Sequence, residues 1–520
     1  MISQFKQLDY RNLSFAIISG FIMTAAFPKT GFDFLAWFAF VPLIWTLNQT
    51  STAFTTGCVA GFVHQITLVY WLTTAMHEYG HLPLITCIPL LILLCLYLSL
   101  YTGIFCIMVK RLCPTPGHLI LVPFFWVALE YARSLTQFAF PWELMGYSQY
   151  LKLPLIQVAD ITGVYGISWL ILLFNVAIVC FLLHTTRQTW QTHPVSIKMI
   201  YVFLGGVILF FVLFMSYGLY RIATINNHIE KSDNKLKVAT VQGNIDQAVK
   251  WDETFRTEST QKYLHLSMSE NIQDADLIVW PETAIPFYIQ QDTKLSQLLR
   301  SFINDHQPAF LIGGLRYEHT SSSSWNFYNS AFLLFPGATN NQAYDKSHLV
   351  PYGEYIPFQT VFPFLKKMVE AVGDFSEGTT FTPLKWDKYS VGPQICYEIL
   401  FPNLSRNLVQ NGADILVNIT NDAWYGRSSA PYQHFSMAVF RAVENKRSLA
   451  RAANTGISGC INPFGKILTQ SQIFVDDARA CQMPVLNETT FYARYGDVFA
   501  IFCSIVLMVS ILVRFFRYRL

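Results

Sequence analysis

Charged side chains are scarce. They make up 13% of the 520 residues, against 52% hydrophobic, where soluble domains carry about 25% charged. That deficit excludes an ordinary soluble globule and points to a membrane. The net charge of +3 is too small to argue for a nucleic-acid partner, and no basic stripe or nucleic-acid motif accompanies it. The ten cysteines include no CxxC pair and no metal-ligand spacing. No nucleotide-binding motif stands out either, so neither a metal nor another cofactor is expected. The first apolar segment is followed by FPKTGFDF rather than a small-residue cleavage site, so no cleavable signal peptide is expected. No internal repeat is visible.

What the chain has in abundance is apolar runs. Seven precede residue 220, at about 12–27, 32–47, 54–76, 83–109, 117–132, 161–184 and 199–220, and an eighth covers Val498 to Val513. A spanning helix needs about 20 apolar residues. Segments three, four, six and seven reach that length, while one, two and five are short and Pro123 interrupts the fifth. Lys and Arg in short loops set orientation. The groups are Lys6 and Arg11, Lys110 and Arg111, Arg187 and Lys198, and Arg514, Arg517 and Arg519. With the N-terminus inside, eight crossings place all four on the cytoplasmic side and the polar stretch outside. The expected organisation is a polytopic α-helical membrane domain over 1–220 with seven transmembrane helices, an extracytoplasmic α/β domain over 221–497, and a transmembrane helix with a basic cytoplasmic tail over 498–520.

The outer domain is long enough to bury its own core. Six short apolar runs read as buried strands: KVATVQGNI, ADLIVWPETAI, AFLIGGLRY, NSAFLLF, YSVGPQICYEI and ADILVNIT. Helix-like stretches lie between several of them. These are WDETFRTESTQKYLHLSMSENI, DTKLSQLLRSFINDH with Asp292 as its expected N-cap, and APYQHFSMAVFRAVENKRSLARA. TSSSSW, Thr320 to Trp325, reads as an exposed loop. Ile356 to Phe375 is apolar yet broken by prolines. It reads as a lid touching lipid or as a packed surface helix.

Three runs end on a chemically capable residue: Glu282 in ADLIVWPETAIP, Lys346 in NQAYDKSHLVPYGEYIP, and Cys396 in GPQICYEILFP. Side chains at strand ends of an α/β sheet converge on a crevice. Carboxylate, ammonium and thiol together make an acyl-transfer apparatus. A thiol reacts as thiolate, from an ordinary pKa near 8.5, so Glu282 is the candidate general base. Lys346 starts near pKa 10.4 and is better suited, as a cation, to favour the thiolate and stabilise an oxyanion. Losing one such donor costs roughly 3–4 kcal/mol of transition-state stabilisation. The Tyr397 backbone N–H is the candidate second donor, and Glu354 the support that keeps Lys346 charged. Taken singly, each has a structural alternative: Glu282 as a helix cap, Lys346 as a solvated turn residue, Cys396 as a small core hydrophobe.

Jointly these residues resemble the nitrilase superfamily of carbon–nitrogen hydrolases, which use a Glu–Lys–Cys triad on an αββα sandwich. The likeness covers about residues 236–485 and includes VQGNIDQAVKWD, Val241 to Asp252, and VNITNDAWYG, Val417 to Gly426. With seven apolar segments before it and one after, the chain is similar to the bacterial apolipoprotein N-acyltransferases. FPWELMGYSQ, Phe140 to Gln149, resembles that family's stretch between membrane segments. The chain departs from the pattern neither at the triad positions nor at Glu354.

The resemblance implies a bacterial inner-membrane enzyme with a periplasmic catalytic domain, cytoplasmic termini, no cofactor and a monomeric state. It would move an acyl chain from a phospholipid, commonly phosphatidylethanolamine, through a Cys396 thioester. The acceptor would be the N-terminal amine of a diacylated apolipoprotein. Water must be kept from the thioester, and Trp251, Trp280, Tyr397, Phe358 and Phe362 are candidates for the apolar enclosure on the substrate side. Interface anchoring is the alternative for such aromatics. Glu398 is placed with this group in a local supporting role. The periplasm is oxidising, so a working Cys396 must stay unpaired. Among Cys396, Cys460 and Cys481, the pairing that spares it is Cys460 with Cys481, and that disulfide is the one expected if any forms.

Two other readings stand against this. A membrane-anchored amidase or nitrilase would send the thioester to water, but one anchor would suffice for it. A transporter with an extracytoplasmic binding domain would carry ionisable sites at the midplane. Here Glu130, Arg133, Glu143 and Asp160 are read at helix ends or in the loop between.

Overall fold

A computed structural model describes residues 10–135, 139–247, 253–319, 325–338, 342–351, 353–355 and 375–519. Two units divide the chain. One comprises Met1–Tyr70, Ile85–Ile222 and Tyr495–Leu520, the other Trp71–Leu84 and Ala223–Arg494.

The first unit is helical. Its principal helices are Tyr10–Ala25, Val41–Leu47, Ala53–Leu68, Leu84–Leu112 from Ile85 on, Val122–Leu135, Tyr165–Thr185, Ile197–Lys231 as far as Ile222, and Val498–Arg519. Every apolar segment therefore contains helix. Among the described residues, however, four helices are long and apolar enough to cross a membrane: Leu84–Leu112, Tyr165–Thr185, Ile197–Lys231 and Val498–Arg517. A bent pair, Ala53–Leu68 with Leu72–Tyr79, raises the count to five. Segments one, two and five form helices of 16, 7 and 14 residues, shorter than the hydrocarbon core demands.

The outer faces of Ile197–Lys231 and Val498–Arg519 carry exposed Tyr201, Val202, Ile208, Ile505 and Met508, a surface suited to lipid and not to water. Internal packing uses small residues, as expected where helix backbones approach closely in lipid. A Cβ on Gly57 or Gly61 would lie within 2.8 Å of atoms of Thr102 or Cys106. Arg133 stands in the last turn of its helix and Glu130 one turn earlier. Both are buried within Val122–Leu135. Glu130 accepts from the Trp126 indole at 2.9 Å and from Met145 N at 2.8 Å, and Arg133 donates to Trp142 O. Two short strands, β1 (Thr189–Trp190) and β2 (His193–Pro194), form a small hairpin.

The second unit is α/β. Its strands are β3 (Lys235–Gln242), β4 (Leu277–Val279), β5 (Ile285–Tyr288), β6 (Ala309–His319), β7 (Trp325–Leu334), β8 (Gln342–Asp345), β9 (Leu384–Trp386), β10 (Tyr389–Ile395), β11 (Ile415–Thr420), β12 (Leu449–Ala453), β13 (Gly459–Ile461), β14 (Ile467–Gln470) and β15 (Asp477–Pro484). They form two sheets, ordered β15-β3-β4-β6-β7-β8, with β5 beside β6, and β14-β13-β12-β11-β10-β9. Each has a parallel centre, β3-β4-β6 in one and β10-β11-β12 in the other. Parallel strands are covered on both faces and read as continuous apolar runs. That accounts for five of the six runs seen in the sequence; the sixth, NSAFLLF, lies in β7, which is antiparallel to both neighbours yet buried over its second half.

The sheets pack together through β12 against β3, and Ser458 Oγ donates to Gln242 Oε1 across them at 2.7 Å. Cys460 of β13 and Cys481 of β15 form a disulfide that ties one sheet to the other. Helices Glu253–Ser267 and Lys294–Asn304 cover the first sheet, burying Tyr263, Leu299 and Ile303 against Ile278 and Phe310. Pro402–Gln410 and Ala430–Asn445 cover the second. The result is an αββα sandwich.

Three local expectations are corrected. The cap of Lys294–Asn304 is Thr293, paired in a capping box with Ser296. Asp292 accepts from the Gln297 side chain instead. The segment read as 54–76 breaks after Leu68, and Trp71–Leu84 belongs with the α/β unit. There Trp71 is buried, its indole donating to Gln433 Oε1 at 3.3 Å and its ring meeting Tyr425 edge-on. Finally, the stretch read as one helix to Ala452 ends at Asn445, with Lys446 in the left-handed region, and Leu449–Ala453 is a strand. Arg451 lies fully buried in that strand, which hides it from any apolar-run reading.

Candidate active site

The two sheets deliver their strand ends to one place. Glu282 follows β4 through Trp280 and Pro281. The loop lies flat on Gly313 of β6, where a Cβ would come within 2.3 Å of Pro281 O and 2.7 Å of Glu282 Cα, so no side chain fits there. Lys346 directly follows β8, its N–H donating to Asn329 O of β7 at 2.8 Å. Cys396 directly follows β10 and opens a short 3-10 turn, Cys396–Leu400. Its φ of 51° is a left-handed conformation that costs a non-glycine residue of order 1–3 kcal/mol. Such outliers cluster at functional sites and persist where the surroundings over-determine them.

Lys346 is 1% exposed and Glu282 6%. Lys346 Nζ lies 2.9 Å from Glu354 Oε1 and 3.4 Å from Glu282 Oε1. Asn329 Nδ2 donates to both carboxylates, at 2.8 Å to Glu282 and 3.0 Å to Glu354. Asn421 N donates to Glu282 Oε2 at 3.0 Å, and Val350 N to Glu354 Oε2 at 2.8 Å. Burial by itself works against the Lys346 charge, but Glu354 and then Glu282 more than reverse that and hold it above the ordinary lysine range. The lysine is therefore a fixed cation.

Cys396 is 5% exposed and is not disulfide-bonded. Burial pushes its thiol well up, the Glu282 charge adds to that, and Lys346 opposes it. Both burial and the neighbouring carboxylate therefore favour the protonated thiol, in keeping with the expectation that the thiol needs a proton acceptor.

Glu398 is fully buried, and its carboxylate faces the protein interior. It accepts from Ser347 N at 2.7 Å, Ser347 Oγ at 2.8 Å, Tyr344 OH at 3.0 Å and Ile395 N at 2.6 Å. It joins the Lys346 loop to the cysteine turn. Trp280 is likewise a core residue, stacked on Tyr263 and bonded to Ser267 Oγ. The Tyr397 ring stacks on His348 and meets Phe401 edge-on. Burial, then Lys346, lowers His348 to about 4, so it is neutral near pH 7. Trp251, Phe358 and Phe362, and positions 356–374 of the expected lid, lie outside the described residues.

Sequence reasoning missed Asn329 and the polar layer beneath Cys396. His434 Nε2 lies 3.3 Å from Cys396 O. Its Nδ1 lies 2.9 Å from Arg451 Nη2, which also meets Asp422 Oδ2 at 2.9 Å. All three side chains are fully buried. Burial keeps His434 below the ordinary imidazole range, Arg451 adds to that, and Asp422 opposes it. Asn421 and Asp422 do stand inside VNITNDAWYG, the one signal the sequence offered. Among the described residues no group of three His, Cys, Asp or Glu side chains has the arrangement of a metal site.

A buried carboxylate, a fixed ammonium and a thiol on a strained strand-end turn, in an αββα sandwich, define the carbon–nitrogen hydrolase class. Residues 237–477 match the carbon-nitrogen hydrolase family, and residues 19–177 match the apolipoprotein N-acyltransferase N-terminal domain. An apolipoprotein N-acyltransferase of Geobacter metallireducens is 39% identical, over 96% of this chain and 94% of that protein. One from Bdellovibrio bacteriovorus is 30% identical, over 94% and 91%. The chain belongs to the apolipoprotein N-acyltransferase family. Among solved structures, an amidase from Nesterenkonia sp. aligns with a TM-score of 0.37 at 18% identity, over 49% of this chain and 92% of the amidase. Nit3 of Saccharomyces cerevisiae aligns with a TM-score of 0.37 at 18% identity, over 48% and 90%.

Proposed function

We propose that this protein N-acylates lipoproteins, moving a fatty acyl chain from a membrane phospholipid to the N-terminal amine of a diacylglyceryl-cysteine. Cys396 is the nucleophile. Glu282 takes the thiol proton as Sγ attacks the ester carbonyl, and the oxyanion is met by Lys346 Nζ and the Tyr397 N–H. Collapse expels a lysophospholipid, which takes a proton from Glu282, and leaves a thioester on Cys396. The lipoprotein amine then attacks that thioester, Glu282 accepts the amine proton, and the thiol is restored. Glu354 holds Lys346 in place and charged. Glu398 ties the lysine loop to the nucleophile turn and makes no contact with substrate.

The setting is the bacterial inner membrane, with the α/β unit in the periplasm and both termini in the cytoplasm. Eight crossings put every basic loop group on one side, which supports that orientation. The short first, second and fifth segments then cross as tilted or bent spans. Phosphatidylethanolamine is the expected donor, and the protein acts as a monomer.

The observation that carries this reading is the Lys346 ammonium held between Glu282 and Glu354 beside the Cys396 turn, in a chain matching an N-acyltransferase relative over 96% of its length. The test is intact-mass analysis after exposure to phosphatidylethanolamine alone, then to a diacylated lipopeptide. The expected result is a one-acyl gain on Cys396, reversed by hydroxylamine, followed by its transfer to the lipopeptide as an amide. Free fatty acid as the sole product would make the protein a hydrolase and refute transfer.

A further inference from the structure

The Cys396 carbonyl is gripped from below. His434, in the second turn of Ala430–Asn445, reaches it with Nε2 at 3.3 Å. A carbonyl oxygen can only accept, so we assign a proton to Nε2, while Nδ1 is held between Arg451 Nη2 at 2.9 Å and the Asp422 carboxylate. Arg451 is itself anchored by Asp422, Asn418 and Ile457 O. Asp422 Oδ1, 3.0 Å from Nδ1, accepts from Thr420 Oγ1 at 3.0 Å. A helix face packed on a sheet is ordinarily apolar, and burying imidazole and guanidinium there carries a desolvation cost. The arrangement has a geometric consequence. The peptide joining Cys396 to Tyr397 is planar and trans, so its C=O and N–H point in opposite directions. Holding the oxygen on one side fixes where the hydrogen points on the other.

We propose that His434 is a positioning residue for acylation: by holding the Cys396 carbonyl it aims the Tyr397 N–H at the developing oxyanion. The proposal rests on the reading of Cys396 as nucleophile and the Tyr397 N–H as oxyanion donor. It also accounts for the left-handed φ of Cys396, since a turn in that conformation needs an outside anchor.

The test compares the full-length wild type with His434→Ala, His434→Asn and His434→Gln. Each is purified in detergent and given phosphatidylethanolamine. Single-turnover formation of acyl-Cys396 is followed by intact mass, and alkylation of Cys396 by iodoacetamide is measured in parallel. Alkylation displaces iodide without forming an oxyanion, so it reports the thiol and not the donor. Full loss of an oxyanion donor costs about 10²–10³ in rate. Misaiming one is expected to slow acylation by His434→Ala about 10–100-fold. The lipid concentration for half-saturation and the alkylation rate should stay within about 2-fold of wild type. Gln places an N–H near the carbonyl and should recover most of the rate. Asn is too short to reach it, should behave as Ala, and serves if the Ala variant does not fold. Wild-type acylation rates in both Ala and Asn, or acylation and alkylation lost in parallel in every folded variant, would overturn the proposal. A wild type that forms no acyl-Cys396 while alkylating normally would refute the acyl-transfer reading beneath it.

Discussion

Replacing Glu354 by Gln probes the charge logic of the site with almost no change of shape. Glu354 Oε1 accepts from Lys346 Nζ at 2.9 Å and from Asn329 at 3.0 Å, and Oε2 accepts from Val350 N at 2.8 Å. Glutamine keeps one acceptor but removes the nearer of two counter-charges from a lysine that is 1% exposed. Breaking a buried ion pair costs about 3–5 kcal/mol, and the retained amide oxygen puts this variant near 3 kcal/mol. In the folded wild type, the lysine is held above its ordinary range, burial being outweighed by Glu354 and Glu282. The stability this contributes is fully present below the unfolded lysine value of about 10.4. It is lost only as pH rises through the higher folded value. Without Glu354 the larger of the carboxylate contributions opposing burial is gone, and that alkaline loss moves down in pH. Single-turnover acyl-enzyme formation from phosphatidylethanolamine, followed by intact mass across the alkaline range, is the assay. The expected rate near neutrality is about 100-fold below wild type, with an alkaline limb displaced downward. A rate and an alkaline limb both within about 2-fold of wild type would refute the argument that Glu354 maintains the lysine charge.

Glu282→Gln removes the proton acceptor, and acyl-enzyme formation is expected to fall about 10²–10⁴-fold with lipid binding retained, as measured by single-turnover mass analysis. Cys396→Ala is expected to fold and to show no acyl adduct; an adduct mapping elsewhere in that variant would displace Cys396 as nucleophile. Because burial and Glu282 keep the resting thiol protonated, iodoacetamide labelling of the wild type should rise steeply with pH and reach no plateau below the ordinary thiol value of about 8.5. Cys460→Ser opens a crosslink between residues 21 apart and should lower unfolding free energy by about 2–4 kcal/mol, read by denaturant titration of tryptophan fluorescence. Glu398→Gln replaces one accepting oxygen by N–H₂, which must face either the Ser347 and Tyr344 donors at Oε1 or Ile395 N at Oε2. It should cost about 1–3 kcal/mol and slow acylation, while leaving the lipid concentration for half-saturation unchanged.

The parts of this protein that show in its sequence are those with a local period. Lipid-facing helices and doubly covered parallel strands are both long apolar runs, so ADILVNIT and YSVGPQICYEI announce β11 and β10 directly. Glu282 and Cys396 drew attention because they stand at or near the ends of such runs, and Lys346 because it follows the shorter strand β8. Asn329 was not, since it sits inside an apolar strand and acts on Glu282 and Glu354, residues 47 and 25 positions away. Asp292 was expected to cap Lys294–Asn304, but the backbone path places Thr293 there, in a capping box with the serine at position 296.

Sequence alone therefore determined the long apolar helices, the α/β alternation and the candidate groups for acyl chemistry, because hydrophobicity and residue type act along the chain. Tertiary structure alone decided that two carboxylates favour the Lys346 charge, that burial raises the Cys396 thiol, that Glu398 faces inward, and that His434 stands behind the Cys396 carbonyl. Each of those depends on burial and on partners brought from distant strands, and electrostatic energy follows distance through space.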